Sequence, residues 1–87
     1  MDHSQDKTKE RLRWACRRGM LELDIFLMNF LEKDYENLTL NEKQGFSELL
    51  KEKDPDLFAW LMGHQIPNNK EYQSLVTKIR SAQKRPD

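Results

Sequence analysis

A twelve-residue stretch near the start of the chain decides the fold: Arg13-Trp14-Ala15-Cys16-Arg17-Arg18-Gly19-Met20-Leu21-Glu22-Leu23-Asp24. Two arginines directly precede Gly19, and the carboxylate of Glu22 follows three residues later. A glycine costs about 1 kcal/mol in a helix interior relative to alanine, but it is favoured where the backbone turns through positive φ. We therefore predict that one helix ends at Gly19, that another begins just after it, and that their junction is a contact surface.

The segments on either side of this junction have helical patterns. The first helix is predicted from about Lys7 to Arg17, with Leu12 and either Ala15 or Cys16 turned inward. The second is predicted from about Leu21 to Glu32, because apolar residues recur there at spacings of three and four. These residues are Leu23, Phe26, Leu27, Phe30 and Leu31. The first two helices thus present an apolar face on each side of the glycine.

Three further helices are marked by capping signals. Thr39-Leu40-Asn41-Glu42 fits a capping box and opens a helix that is predicted to end near Lys53, with Phe46, Leu49 and Leu50 inward. Asp54-Pro55 combines a capping carboxylate with a proline and opens a short helix that ends at Gly63. Asn68 or Asn69 caps the last helix, whose apolar stripe is Tyr72, Leu75, Val76 and Ile79.

These signals together predict an all-α fold, because no period-two pattern long enough for a strand occurs. We expect the 87 residues to form one small domain, a compact five-helix bundle. The domain is predicted to be ordered over about 7–83, with frayed polar ends at 1–6 and 84–87. A chain of this size buries only about 60% of its unfolded surface. Such a small domain favours a binding module over an enzyme, and we expect no catalytic activity.

Charge is balanced overall but unevenly distributed. Residues 1–18 hold six basic and three acidic side chains, 19–57 hold four and ten, and 58–87 hold five and two. The zero net charge argues against a general nucleic-acid binder, and the dipolar distribution suits oriented docking on another protein. The sequence has no apolar run of the roughly 18 residues that a membrane helix needs. Because the sequence has a single cysteine, it cannot form an internal disulfide. We expect a monomeric protein in the cytoplasm.

The candidate contact residues of the first block are Arg11, Trp14 and Arg18. Their spacing of i, i+3 and i+7 places them on one face if the helix is uninterrupted. Either they form an arginine–aromatic recognition patch, or Trp14 caps the core beside two solvated arginines. Glu22 has two compatible roles, since it complements the helix dipole at its position and can also present a charge to a partner.

A second block surrounds Asp56, Phe58 and Trp60. Leu57 and Leu61 take the inward positions of that short helix, and Trp60 is predicted to join them. The spacing leaves open whether Phe58 is buried or near the surface.

No residue pattern indicates catalysis or a metal site. His3 and His64 lack a second ligand at metal spacing, and both are predicted to be solvated. The arginines near Cys16 would lower its pKa, but without a positioned histidine base it is predicted to be a small, partly buried apolar residue.

Two motifs resemble one family. Arg18-Gly19-x-x-Glu22, preceded by Trp14-Ala15-Cys16-Arg17, is similar to the signature of the small flavinylation factors of succinate dehydrogenase, the SdhE/YgfY family. Asp54-Pro55-Asp56-Leu57-Phe58-Ala59-Trp60-Leu61 is similar to that family's second recurrent block. The two blocks occur in the family's order and at about its spacing, and the similarity extends from about Arg11 to Ile79.

The resemblance implies an assembly factor, or chaperone, for protein flavinylation. Such a factor binds the flavoprotein subunit of succinate dehydrogenase, and often that of fumarate reductase, and promotes covalent attachment of FAD to a histidine of that subunit. FAD would be the group attached to the partner, not a cofactor bound stably here. The resemblance places Arg18, Gly19 and Glu22 at the centre of the docking surface, with Arg11, Trp14, Arg17 and Asp24 around it, and we add Phe58 as a candidate. The alternative is an antitoxin or regulator that binds a protein or nucleic acid.

Overall fold

Five α-helices and one short 3₁₀ turn make up the structure. The computed structural model describes residues 3–83, with side chains from residue 8 onward. The helices are α1 (His3–Cys16), α2 (Leu21–Lys33), α3 (Leu40–Leu49), α4 (Asp54–Leu61) and α5 (Lys70–Ala82), and the 3₁₀ turn is Tyr35–Asn37. No strand occurs within residues 3–83, so the predicted all-α, five-helix fold is confirmed.

Two of the predicted helix starts are confirmed by their capping geometry. The hydroxyl of Thr39 accepts a hydrogen bond from the Glu42 amide at 3.1 Å, and the Glu42 carboxylate accepts one from the Thr39 amide at 2.9 Å. This is the predicted capping box at the start of α3. Asn69, one of the two predicted candidates, caps α5 by accepting from the amides of Glu71 and Tyr72.

Other boundaries differ from the predictions. α1 begins at His3, four residues before the predicted start, and ends at Cys16. α3 ends at Leu49 and not near Lys53, because the amides of residues 51 and 52 bond to carbonyls three residues back. The 3₁₀ turn was not predicted. The predicted frayed ends include residues 1, 2 and 84–87, which lie outside the described part of the chain.

The start of α4 also requires a correction. Asp54 was predicted to be its capping carboxylate, but Lys53 is the N-cap residue and Asp54 is the first helical residue. Its carboxylate accepts a hydrogen bond from Arg18 instead of capping the helix. Pro55 follows within the first turn, where a missing amide hydrogen costs little.

α2 is the central helix of the bundle and packs against α1, α4 and α5, while α3 packs mainly against α5. The core contains the inward residues predicted for every helix, with Phe26, Trp60 and Tyr72 only partly buried at its edge. The ring of Phe46 lies 5.4 Å from that of Phe30 and 5.9 Å from that of Tyr35, centroid to centroid. Each buried leucine or phenylalanine contributes about 1.5–3 kcal/mol through burial. This core fixes the position of the turn between α1 and α2.

The described helices give no indication of a transmembrane segment. None of them over residues 3–83 is both long enough and apolar enough to cross a bilayer.

Candidate functional site

The turn between α1 and α2 is built around Gly19. Its φ is +83°, a conformation that side chains disfavour, so glycine is required by the backbone. The carboxylate of Asp24 accepts hydrogen bonds from the amides of Arg18 at 2.7 Å and Gly19 at 3.3 Å. Asp24 therefore holds the turn in place from within α2. A Cβ at Gly19 would meet no atom within 4 Å, which shows that the outer side of the turn is open.

The side chain of Arg18 points into the molecule from this turn. Nε donates to the Asp54 carboxylate at 2.8 Å, and Nη1 donates to the carbonyls of Ala15 at 2.7 Å and Leu50 at 2.8 Å. Nη2 donates to the carbonyl of Glu52 at 2.6 Å. All three side-chain nitrogens thus donate within the chain. Ala15 and Leu50 lie at the C-terminal ends of α1 and α3, where a cation is favourable.

The predicted arrangement of Arg11, Trp14 and Arg18 on one face is therefore wrong. It assumed an uninterrupted helix, but α1 ends at Cys16 and the chain then turns. The side chain of Arg18 is only 14% exposed. The resemblance placed Arg18 at the centre of a docking surface; in the structure its guanidinium bonds within the chain and supports the turn. Asp24, predicted near the edge of that surface, likewise uses both carboxylate oxygens within the turn.

Trp14 and Arg17 form an exposed pair of an aromatic ring and a cation at the site. The Trp14 side chain is 72% exposed, which excludes the alternative in which it caps the core. The Arg17 guanidinium lies over its indole ring, with Cζ 5.7 Å from the ring centroid. Both residues line a shallow groove of about 200 Å³, together with Glu10 and Arg13. Arg11 is exposed on the same helix, three residues before Trp14.

The first turn of α2 continues the exposed surface. Glu22 is exposed there, near the helix N-terminus, as predicted. Leu21 and Ile25 are 76% and 47% exposed, and their spacing of four residues puts them on one side of α2. The sequence predictions did not include Leu21 and Ile25, although both lie off the buried stripe of α2.

We call Trp14, Arg17, Gly19 and Glu22 the junction patch. Its members come from the end of α1, the turn and the start of α2. It combines an aromatic ring, a cation, a carboxylate and an open stretch of backbone. Of the eight predicted contact residues, these four are exposed at the α1–α2 junction, whereas Arg18 and Asp24 bond within the chain.

The second sequence block lies on α4. Leu57 and Leu61 are buried and Trp60 packs against the core, with its ring 5.9 Å from that of Tyr72, which confirms those predictions. Phe58, which the sequence left open, is partly exposed and contacts the exposed His64 edge-on at 6.1 Å between centroids. Phe58 follows Asp54 by one helical turn, so both lie on the side of α4 that Arg18 contacts.

The remaining candidate residues give no sign of catalysis. Cys16 is fully buried, and burial raises the pKa of its thiol to about 12, outweighing the nearby Arg18 charge. Cys16 is an apolar packing residue as predicted, but it is fully buried where partial burial was expected, and the expected lowering of its pKa is wrong. Within the described residues no cluster of histidine, cysteine or carboxylate side chains has metal-binding geometry. The side chain of His3 lies outside the described part.

Comparison with a family model gives a match over most of the chain. Residues 10–83 match the family Sdh5, described as "Flavinator of succinate dehydrogenase". The match includes the junction patch and the whole of α4.

Relatives of similar length agree with this match. The chain is 53% identical over 76 residues to the FAD assembly factor SdhE of Yersinia pseudotuberculosis, covering 87% of this chain and 86% of the relative. It is 48% identical over 71 residues to the protein of the same name from Coxiella burnetii, covering 82% and 87%. The solution structure of a UPF0350 protein superposes with a TM-score of 0.74 at 43% identity, covering 95% of this chain and 86% of the other. The chain therefore belongs to the family of succinate dehydrogenase flavinators.

Proposed function

We propose that this chain is an assembly factor that docks on the flavoprotein subunit of succinate dehydrogenase and promotes covalent attachment of FAD to that subunit. Family membership is the observation that carries the proposal, since the match covers residues 10–83 and the relatives are named FAD assembly factors. The fold adds independent support, because a small helical domain with an exposed arginine–tryptophan pair suits a binding role.

The junction patch is the proposed centre of docking. Tryptophan and arginine are enriched among the residues that dominate protein interfaces. The planar guanidinium of Arg17 suits a carboxylate of the partner, and Glu22 offers an acceptor for a basic group. Gly19 leaves room for a partner backbone to approach the turn. Arg11 and Phe58 are proposed to extend the contact along α1 and α4.

The chemistry is proposed to take place inside the partner. The groove beside Trp14 holds about 200 Å³, below the roughly 300–1,000 Å³ typical of small-molecule sites. It suits a partner side chain better than a dinucleotide. FAD would therefore be held by the flavoprotein, and docking would fix that subunit in a geometry in which its histidine and the flavin react. Positioning of this kind accelerates reactions without a catalytic group from the factor.

The test is to delete the gene and measure covalently bound flavin in the flavoprotein by in-gel fluorescence after denaturing electrophoresis. We expect the flavin band to weaken strongly, and the natural chain on a plasmid to restore it. The flavoprotein must be quantified on the same gel, because loss of the protein would also remove the band. An unchanged ratio of flavin to protein would refute the proposed function.

We also propose that the factor promotes FAD attachment to the flavoprotein subunit of fumarate reductase, and the same gel tests this. The flavoprotein subunit of fumarate reductase gives a second flavin band in cells grown to express it. We expect that band to weaken in the deletion strain as well. If only the succinate dehydrogenase band weakens, the factor serves that one flavoprotein.

A further inference from the structure

The bonds of Arg18 connect the two sequence blocks of the chain. Its backbone belongs to the turn that carries the junction patch, and its guanidinium reaches Asp54 at the start of α4, 36 residues away. It also bonds to Leu50 and Glu52 in the connection between α3 and α4. Arg18 thus fixes the junction patch relative to the side of α4 that carries Phe58.

Only an arginine side chain has the donors needed to make all four of these hydrogen bonds. The acceptors are three carbonyls on two separate segments and one carboxylate. A guanidinium presents five donors in a rigid plane, whereas a lysine ammonium is a single point with three donors. A lysine at position 18 would keep the charge but lose the connection between the segments.

We propose that Arg18 is a positioning residue for docking: it makes no contact with the flavoprotein, but holds the junction patch and Phe58 in register as one binding surface. The inference rests on the proposed function and adds to it. It assigns the arginine of the Arg18-Gly19-x-x-Glu22 motif to internal support and the other two motif residues to the interface. It also makes α4 part of the surface that the flavoprotein recognises.

The experiment is calorimetric titration of the purified flavoprotein subunit of succinate dehydrogenase with the full chain and its variants. The temperature is chosen so that circular dichroism shows every variant to be folded. Arg18→Lys should weaken binding by about tenfold or more, as loss of a major contact does. Thr39→Ala is the matched control, since it removes the capping hydrogen bond at the opposite end of α3 from Leu50 and should lower the melting temperature with affinity within about twofold.

A double-mutant cycle separates positioning from general destabilisation. Phe58→Ala should weaken binding of the natural chain, but much less in the presence of Arg18→Lys, because the ring is then already out of register. Fully additive losses would overturn the proposal, as would an unchanged affinity of Arg18→Lys or of Phe58→Ala. If Arg18→Lys does not fold, Asp54→Asn is used in its place. The Asp54→Asn variant weakens the bond from Arg18 to the side chain of residue 54 and leaves its three bonds to carbonyls intact.

The proposed function and this inference fail in different ways. If Trp14→Ala abolishes binding while Arg18→Lys does not, the docking function stands and the positioning role is refuted. If the natural chain does not bind the flavoprotein at all, the proposed function fails and the inference fails with it.

Discussion

The guanidinium of Arg17 lies over the indole ring of Trp14, with Cζ 5.7 Å from the ring centroid, on a helix end where the ring is 72% exposed. Such a pair contributes about 0.5–1 kcal/mol at an exposed site. It therefore does little for the fold, but it holds two long side chains in a defined geometry before any partner arrives. Ordering side chains in advance reduces the entropy lost on binding.

Trp14→Ala should therefore separate stability from binding. We expect the free energy of unfolding to change by about 1 kcal/mol or less, because the ring is largely solvated. Affinity for the flavoprotein should fall by about tenfold or more. Urea denaturation and calorimetric titration measure the two quantities. Ile66→Ala is the control, since Ile66 is 78% exposed in the loop after α4 and its loss should leave the affinity unchanged.

Gly19→Arg should leave a folded domain that no longer binds. The positive φ of +83° penalises any side chain by about 1–2 kcal/mol, but a new side chain at Gly19 would point into open space. The lost affinity would then reflect a blocked surface. Gly19→Ala carries the same backbone penalty without the bulk, and it should retain much of the affinity. Equal binding by Gly19→Arg and the natural chain would show that no partner approaches this turn.

Gly63→Ala should be about as destabilising as Gly19→Ala. Both glycines have a φ of +83°, so each variant should lose about 1–2 kcal/mol from the backbone. A Cβ at Gly63 would also lie 2.9 Å from Nη2 of Arg80, but this is the end of a flexible, exposed side chain that can move away at little cost. Adding Arg80→Ala to Gly63→Ala should therefore change the stability little. Thermal unfolding of the three variants measures this, and a much lower melting temperature for Gly63→Ala than for Gly19→Ala would contradict the prediction.

Stability should fall in acid partly through Glu42. Hydrogen bonds from the Lys78 ammonium and the Thr39 amide hold the pKa of Glu42 below its ordinary value of 4.5. Because the folded state favours the ionised carboxylate, its contribution is complete above pH 4.5 and is lost as the pH falls through the folded pKa. The urea midpoint should therefore drop less between pH 7 and pH 3 in Glu42→Gln than in the natural chain. Lys78→Gln should reproduce this weaker pH dependence. A drop as large as that of the natural chain in both variants would contradict the assignment.

Cys16 should resist thiol reagents in the folded protein. Its side chain is fully buried, and burial raises the pKa of the thiol to about 12, so the reactive thiolate is scarce at neutral pH. Mass spectrometry after treatment with iodoacetamide should show an unmodified chain under native conditions and one added group in urea. Rapid modification of the native protein would mean that α1 opens readily at its C-terminal end.

The features that the sequence predicted well are those that depend on residues close together in the chain. The capping box of Thr39 and Glu42 needs only four consecutive residues, and the inward stripe of α2 needs only the helical period. The predicted end of α3 was wrong because the amides of residues 51 and 52 bond to carbonyls three residues back, whereas a continued α-helix would bond four residues back. Nothing in the local sequence distinguishes that ending from a continued helix.

The candidate site was predicted in part for the same reason. Trp14, Gly19 and Glu22 were recognised, and their exposure agrees with a contact role. The direction of Arg18 could not be predicted, because its partners Leu50, Glu52 and Asp54 follow it by more than 30 residues. A spacing rule that treats α1 as continuous places Arg18 beside Trp14, whereas the turn at Gly19 sends it inward.

The inward course of Arg18 affects how loss-of-function mutations in this family should be interpreted. A genetic screen scored on flavin content would group substitutions of Arg18 with those of Glu22, although one residue acts as an internal brace and the other faces the solvent. Damaging substitutions in this one motif would therefore have two distinct molecular causes.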